Sequence, residues 1–187
     1  MFTSTMFKIF VFIPLLITIS INPCFASDST KLSNVFMNLY TKLCLKHVAN
    51  LDVLRNKLNA APSLPAEKAS NFLNGYQGKA WPVPNKNGLF VVAITTKKNI
   101  CMVYARRGNT SMAEESFKAF LAKPKKPLIS KLLLDEYGTT AVNGKTHTLS
   151  YEWAIPNASK AMLFTLTTAN SDKAQLQLMG SATIIKK

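Results

Sequence analysis

Gly78-Lys79-Ala80-Trp81-Pro82-Val83-Pro84, a polar turn, Leu89–Thr96, Lys97-Lys98-Asn99 and Ile100–Arg107 make up the stretch on which the fold turns. Two apolar, β-rich runs flank a short polar connection, the pattern of a β-hairpin. Both runs are apolar at consecutive positions, so both faces are expected to be covered, as in central strands. Trp81-Pro82-Val83-Pro84 must be extended, because each proline restricts itself and the residue before it.

Upstream of this hairpin the pattern is helical. Leu32, Val35, Phe36, Leu39, Leu43 and His47 recur at helical spacing over Ser29–Asn50 and predict one amphipathic helix. A second short helix follows through Leu54, Leu58 and Ala61. A third, over Ala66–Leu73, opens at Pro65 and closes near Gly75. Downstream, Gly108-Asn109 turns the chain into a helix over Met112–Ala122, capped by Thr110 or Ser111. Lys123-Pro124-Lys125-Lys126-Pro127 is an extended basic loop.

Strands are then predicted over Ile129–Tyr137, Lys145–Ala154, Ala161–Thr168 and Ala174–Ile185. In the second of these, His147, Leu149, Tyr151 and Trp153 share one face, and Thr146, Thr148, Ser150 and Glu152 the other. In the last, Leu176, Leu178 and Ala182 are expected to face in and Gln175, Gln177 and Ser181 out. The fold class is therefore α+β: N-terminal helices plus one inserted helix packed on one face of a twisted, mainly antiparallel sheet of about six strands. The other face is expected to be partly open and to carry hydroxyls and amides.

Residues 1–26 read as an address. Lys8 precedes an apolar run from Ile9 to Ile21, followed by Pro23-Cys24-Phe25-Ala26, a Sec-type signal peptide with cleavage after Ala26. The run is too short for a spanning helix, and no later stretch replaces it. Ile21-Asn22-Pro23 lacks the small residue that a lipid-attachment site needs before its cysteine, which disfavours anchoring at Cys24. Residues 27–187 are then a single globular domain, periplasmic or secreted.

The chain has 187 residues and a formal net charge of +14, most of it from lysine. Such a charge favours anionic partners: an acidic protein face, an envelope polymer or lipid headgroups. Export argues against nucleic acid, and lysine excess also arises from composition and solubility alone. Cys44 and Cys101 remain after cleavage, and an oxidising compartment favours pairing them, worth roughly 4 kcal/mol in the chain-entropy model. The alternative is two buried thiols.

Several pieces carry a family resemblance: Cys44-x-x-His47; Leu64-Pro65-x-x-x-Ala69-x-x-Phe72-Leu73; Gly78-x-Ala80-Trp81-x-Val83-Pro84; Cys101-x-Val103; Thr148-x-Ser150-Tyr151-x-Trp153; Phe164-Thr165-Leu166-Thr167-Thr168; and Gln175-x-Gln177. The chain resembles an uncharacterised family of small exported bacterial proteins of neisserial type, some of them lipoproteins. The resemblance implies export, one domain and no established activity, and it carries over no catalytic residues.

With two histidines and nine acids, the chain shows no nucleophile elbow, zinc-binding helix or phosphate-cradling glycine loop. No cofactor or metal is implied, and Cys44-x-x-His47 alone is a weak metal signal. Ser150 and Glu152 alternate away from His147, so no local triad forms. His47 reads as a core histidine.

Two binding surfaces remain as candidates. One is an aromatic pocket of Trp81, His147, Tyr151 and Trp153, whose alternative is burial in the core. The other joins a basic rim of Arg106, Arg107, Lys123, Lys125 and Lys126 to an outward row containing Gln175 and Gln177. The favoured function is a non-catalytic protein-binding module of the envelope, an inhibitor, immunity-type protein or adaptor that meets an acidic partner face. An anionic polymer or lipid binder is the alternative, and a hydrolase using His147 or His47 a second one.

Overall fold

The computed structural model describes residues 24–187. The segment read as a signal peptide, residues 1–26, lies outside them except for Cys24–Ala26, which falls within the first helix. The helices are α1 (Cys24–Leu39), a π-helical continuation (Tyr40–Leu45), α2 (Leu51–Leu58), α3 (Ala66–Ser70) and α4 (Thr110–Leu121). The strands are β1 (Gly78–Val83), β2 (Phe90–Thr95), β3 (Cys101–Ala105), β4 (Ile129–Thr140), β5 (Gly144–Ala154), β6 (Lys160–Thr168) and β7 (Leu178–Lys186).

The class is α+β, as the patterns predict, with seven strands rather than about six, in the order β1-β2-β3-β7-β6-β5-β4. Every neighbouring pair is antiparallel. The hairpin β2–β3 turns through Asn99 at positive φ. The additional strand is β1: Trp81-Pro82-Val83 is extended, as expected, and pairs with β2. Proline is tolerated there because β1 is an edge.

The first helix differs from its predicted stripe. Leu32, Phe36, Tyr40, Cys44 and Val48 are the buried row, each four residues after the last. At 3.6 residues per turn such a row drifts round the helix by about 40° per step. The i→i+5 winding over Tyr40–Leu45 is looser and returns Cys44 and Val48 to the sheet. His47 is consequently half-exposed rather than in the core. Cys44 is bonded to Cys101 of β3, with Cα atoms 5.2 Å apart. That disulfide fixes helix to sheet and removes Cys44 from any metal site.

α1, α2 and α4 cover one sheet face. Phe36, Tyr40, Leu54, Phe117 and Leu121 pack on Val92, Val103, Leu149, Phe164, Leu166 and Leu178. Phe117 is central, 5.9 Å from Tyr40 and 6.0 Å from Tyr151 between ring centroids. The N-cap of α4 is Asn109, whose side chain accepts from Met112 N, rather than Thr110 or Ser111.

One helix is not on that face. Ala69 and Leu73, in and just after α3, pack on Ala80, Ala93, Met102 and Tyr104 of the opposite face. These strand residues lie in register across β1, β2 and β3. α3 has only five residues, so it covers the β1–β3 end and leaves the face open over β5, β6 and β7.

Candidate functional site

The open face forms a groove of about 1180 Å³. Its floor is hydroxylic: Thr146 and Thr148 of β5, Thr165 and Thr167 of β6, and Ser181 of β7. The floor follows from strand alternation. Leu149, Leu166 and Gly180 face the helices, so their neighbours along each strand face the groove. Thr148 and Thr167 pair hydroxyl to hydroxyl at 3.1 Å, and Ser150 and Thr165 at 2.9 Å.

One wall is apolar, built from Phe72, Leu89, Val91, Met102 and Met179. Tyr104 stands in it, its hydroxyl donating to Phe72 O at 2.9 Å; burial raises its pKa well above the ordinary phenol value. At the far rim Asn143 accepts from Leu176 N at 3.0 Å and so joins the β4–β5 turn to the segment before β7. Among the described residues, Lys68 and Arg106 are the charged side chains of the lining, and no acid lines it.

The sequence candidates divide. Arg106 is exposed and lines the groove, as does Gln175. Arg107 instead donates to Ala174 O and Asp172 O, both at 2.8 Å, and pins the loop before β7. Gln177 was expected to face out but is buried. Its Oε1 accepts from Gly108 N at 3.0 Å and its Nε2 donates to Ser171 O at 3.2 Å. The reason is that regular strand pairing begins only at Leu178, so the alternation read back from β7 fails before it.

Lys123, Lys125 and Lys126 are exposed but outside the groove lining. They do not converge with Arg106 and Arg107, because α4 spaces the two clusters by its 12 residues, about 18 Å of rise.

The aromatic pocket is not formed. Trp81, His147 and Tyr151 are buried on the helix-covered face, and Trp153 is packed there between Phe120 and Phe164. Trp153 Nε1 donates to Leu121 O at 2.7 Å. Trp81 on β1 is separated from β5 by β2, β3, β7 and β6, roughly 24 Å of sheet width. Residues that share a face need not be neighbours across a seven-stranded sheet.

His147 has partners that its own strand did not reveal. Nε2 is 2.8 Å from Asp135 Oδ1 of β4, and Nδ1 is 3.0 Å from Glu114 Oε2 of α4, out of line for a hydrogen bond. Tyr137 stacks on the imidazole at 4.1 Å. Lys118 Nζ reaches Asp135 Oδ2 at 3.4 Å, and Thr168 donates to Glu114 Oε1 at 2.5 Å. The hydrogen bond from His147 holds the Asp135 carboxyl below its ordinary value, against partial desolvation and with help from Lys118. Both imidazole nitrogens face carboxylates, so neither is directed at a hydroxyl as a general base for acyl transfer must be. The cluster ties α4 to β4.

Comparison with protein-family models, curated proteins and solved structures finds no match to this chain. No helix among the described residues is long and apolar enough to cross a membrane.

Proposed function

We propose that this is an exported bacterial envelope protein of the resembled neisserial type, acting as a non-catalytic binding module. Its groove receives an extended segment of a protein partner with an acidic face. The observation that carries this reading is the groove itself, with a hydroxyl floor, an apolar wall, cations at Lys68 and Arg106 and no acid in its lining. Hydroxyls and amides satisfy a peptide backbone of either polarity, the apolar wall takes alternate side chains, and the cations select acidic ones. The Cys44–Cys101 disulfide suits an oxidising compartment.

The test is site-specific photo-crosslinking in the native envelope, with the probe at Thr148 or Thr167 and at Lys126 as control. A discrete adduct from the groove positions, lost on Arg106→Glu, supports the reading. Identical adducts from all three positions overturn it.

A second reading, a binder of anionic polymer or lipid surface, draws on the exposed loop of Lys123, Lys125 and Lys126. It requires retention on anionic liposomes or cell-wall material that is lost by about 0.5 M salt. Retention unaffected by neutralising those lysines removes it.

A further inference from the structure

The two edges of the sheet are built differently. β1 is short, six residues, and carries Lys79 and Pro82, the usual devices that prevent edge-to-edge pairing. β4 is twice as long, 12 residues, without proline. It exposes Ile129 at 58%, Leu132 at 45%, Leu133 at 43% and Tyr137 at 82%. β4 also carries Lys131, Asp135, Glu136 and a bulge, so an edge of this kind is a template only for a strand that matches its charges and its bulge.

The charges on β4 say which strand. Lys131 lies opposite Glu152 of β5, and Glu136 opposite Thr148, positions that share one sheet face. Residues five apart ordinarily fall on opposite faces. The register shift between Leu132 and Leu134 brings these two to the same face. Among the described residues neither has an ion-pair partner.

An antiparallel strand of the same sequence, related by a two-fold axis between Leu133 and Leu134, sets each Lys131 against Glu136 of the partner subunit, twice per dimer. Ser130 then meets Tyr137 and Leu132 meets Asp135, each pair also sharing a face. β4 is thus complementary to itself in charge and in face, with Leu133 and Leu134 meeting at the axis.

We propose that two copies of this chain pair antiparallel along β4, joining their sheets in the register that opposes Lys131 and Glu136. The bulge interrupts the new ladder at the axis, leaving 129–132 and 135–138 of each copy to pair. The contact is isologous, so assembly stops at the dimer. This inference is independent of the groove, which neither residue lines.

Sedimentation equilibrium of the purified protein tests it, on the wild type, Lys131→Glu, Glu136→Lys and the double exchange. Each single exchange sets like charges opposite at both pairs and is expected to weaken the dimer about tenfold, and the double exchange to restore it. As a measurement that does not depend on altered charge, Leu133→Cys near the axis should crosslink to itself on mild oxidation. Val53→Cys, exposed on α2, should not. A chain that stays monomeric at millimolar concentration overturns the proposal. So does a dimer indifferent to all three exchanges and not crosslinked through position 133.

Discussion

Tyr40 lies against Gly180: a Cβ at position 180 would stand 2.9 Å from Tyr40 Cδ2 and 3.1 Å from Phe36 Cζ. The tyrosine hydroxyl donates to Ser181 O at 2.7 Å. The missing side chain in β7 is therefore the seat of the π-helical turn. Gly180→Ala is expected to destabilise the fold by about 1–3 kcal/mol through overpacking. Tyr40→Phe, which keeps the ring and removes the hydrogen bond, should cost about 0.5–1.5 kcal/mol. Urea unfolding midpoints rank the two, and an unchanged midpoint for Gly180→Ala would refute the tight seat.

The disulfide closes a separation of 57 residues, for which chain entropy gives about 4 kcal/mol. Cys44→Ala/Cys101→Ala should lower stability by a loss of that order. Denaturant unfolding of the oxidised protein and the double variant measures it.

Neighbouring arginines have opposite expected outcomes. Arg107→Ala frees the carbonyls of Ala174 and Asp172 and should destabilise by about 1.5–3 kcal/mol, the range for hydrogen bonds from a charged donor. Arg106→Glu, on the exposed rim, should change stability by less than about 0.5 kcal/mol while abolishing groove crosslinking. Unfolding midpoints alongside adduct yields separate the two effects, and a reversed order would reassign the rim.

Two groups set separate pH windows. Asp135 is held below its ordinary 3.8, first by the hydrogen bond from His147. The folded state therefore binds this proton less readily than the unfolded chain. Its contribution is complete above the unfolded value and lost as pH falls through the lower folded one. His47 is lowered from 6.5 by partial desolvation, then by Lys57 and Lys46. It resists protonation when folded, so its contribution is present above 6.5 and declines as pH falls below it. Asp135→Asn should flatten the stability profile below about pH 4, and His47→Gln the segment just below about 6.5. Midpoints recorded between these limits check both, and interchange of the two windows would contradict the assignment.

Much of this architecture is written in local pattern. The alternation of His147, Leu149, Tyr151 and Trp153 identifies a face because β5 is regular along its length, and the hairpin at Lys97-Lys98-Asn99 is a short-range signal. What escapes is decided at a distance. The side of the sheet that α3 takes is set by the small residues Ala80 and Ala93 beneath it, and nothing in a five-residue helix announces it. Asp135 and Glu114 meet His147 only because β4 pairs with β5 and α4 crosses the face behind them. Gln177 turns inward because the strand starts after it. Of the candidate site, Arg106 and a partly open face carrying hydroxyls are legible from charge and alternation, whereas the apolar wall required the sheet order.

The paired hydroxyls of the floor are rotors. Within the pairs Thr148–Thr167 and Thr165–Ser150, the serine lying beyond the lining, either oxygen can be the donor, so each pair can reverse its polarity at little cost and, on the proposed reading of the groove, offer a lone pair or a proton as a guest demands. Such a floor is indifferent to the guest's own pattern of donors and acceptors. On the proposed reading, discrimination then resides in the rim, in the charges of Arg106 and Lys68 and in the apolar wall. A change of guest would need new rim residues on an unaltered sheet, so binding range can shift without disturbing the fold.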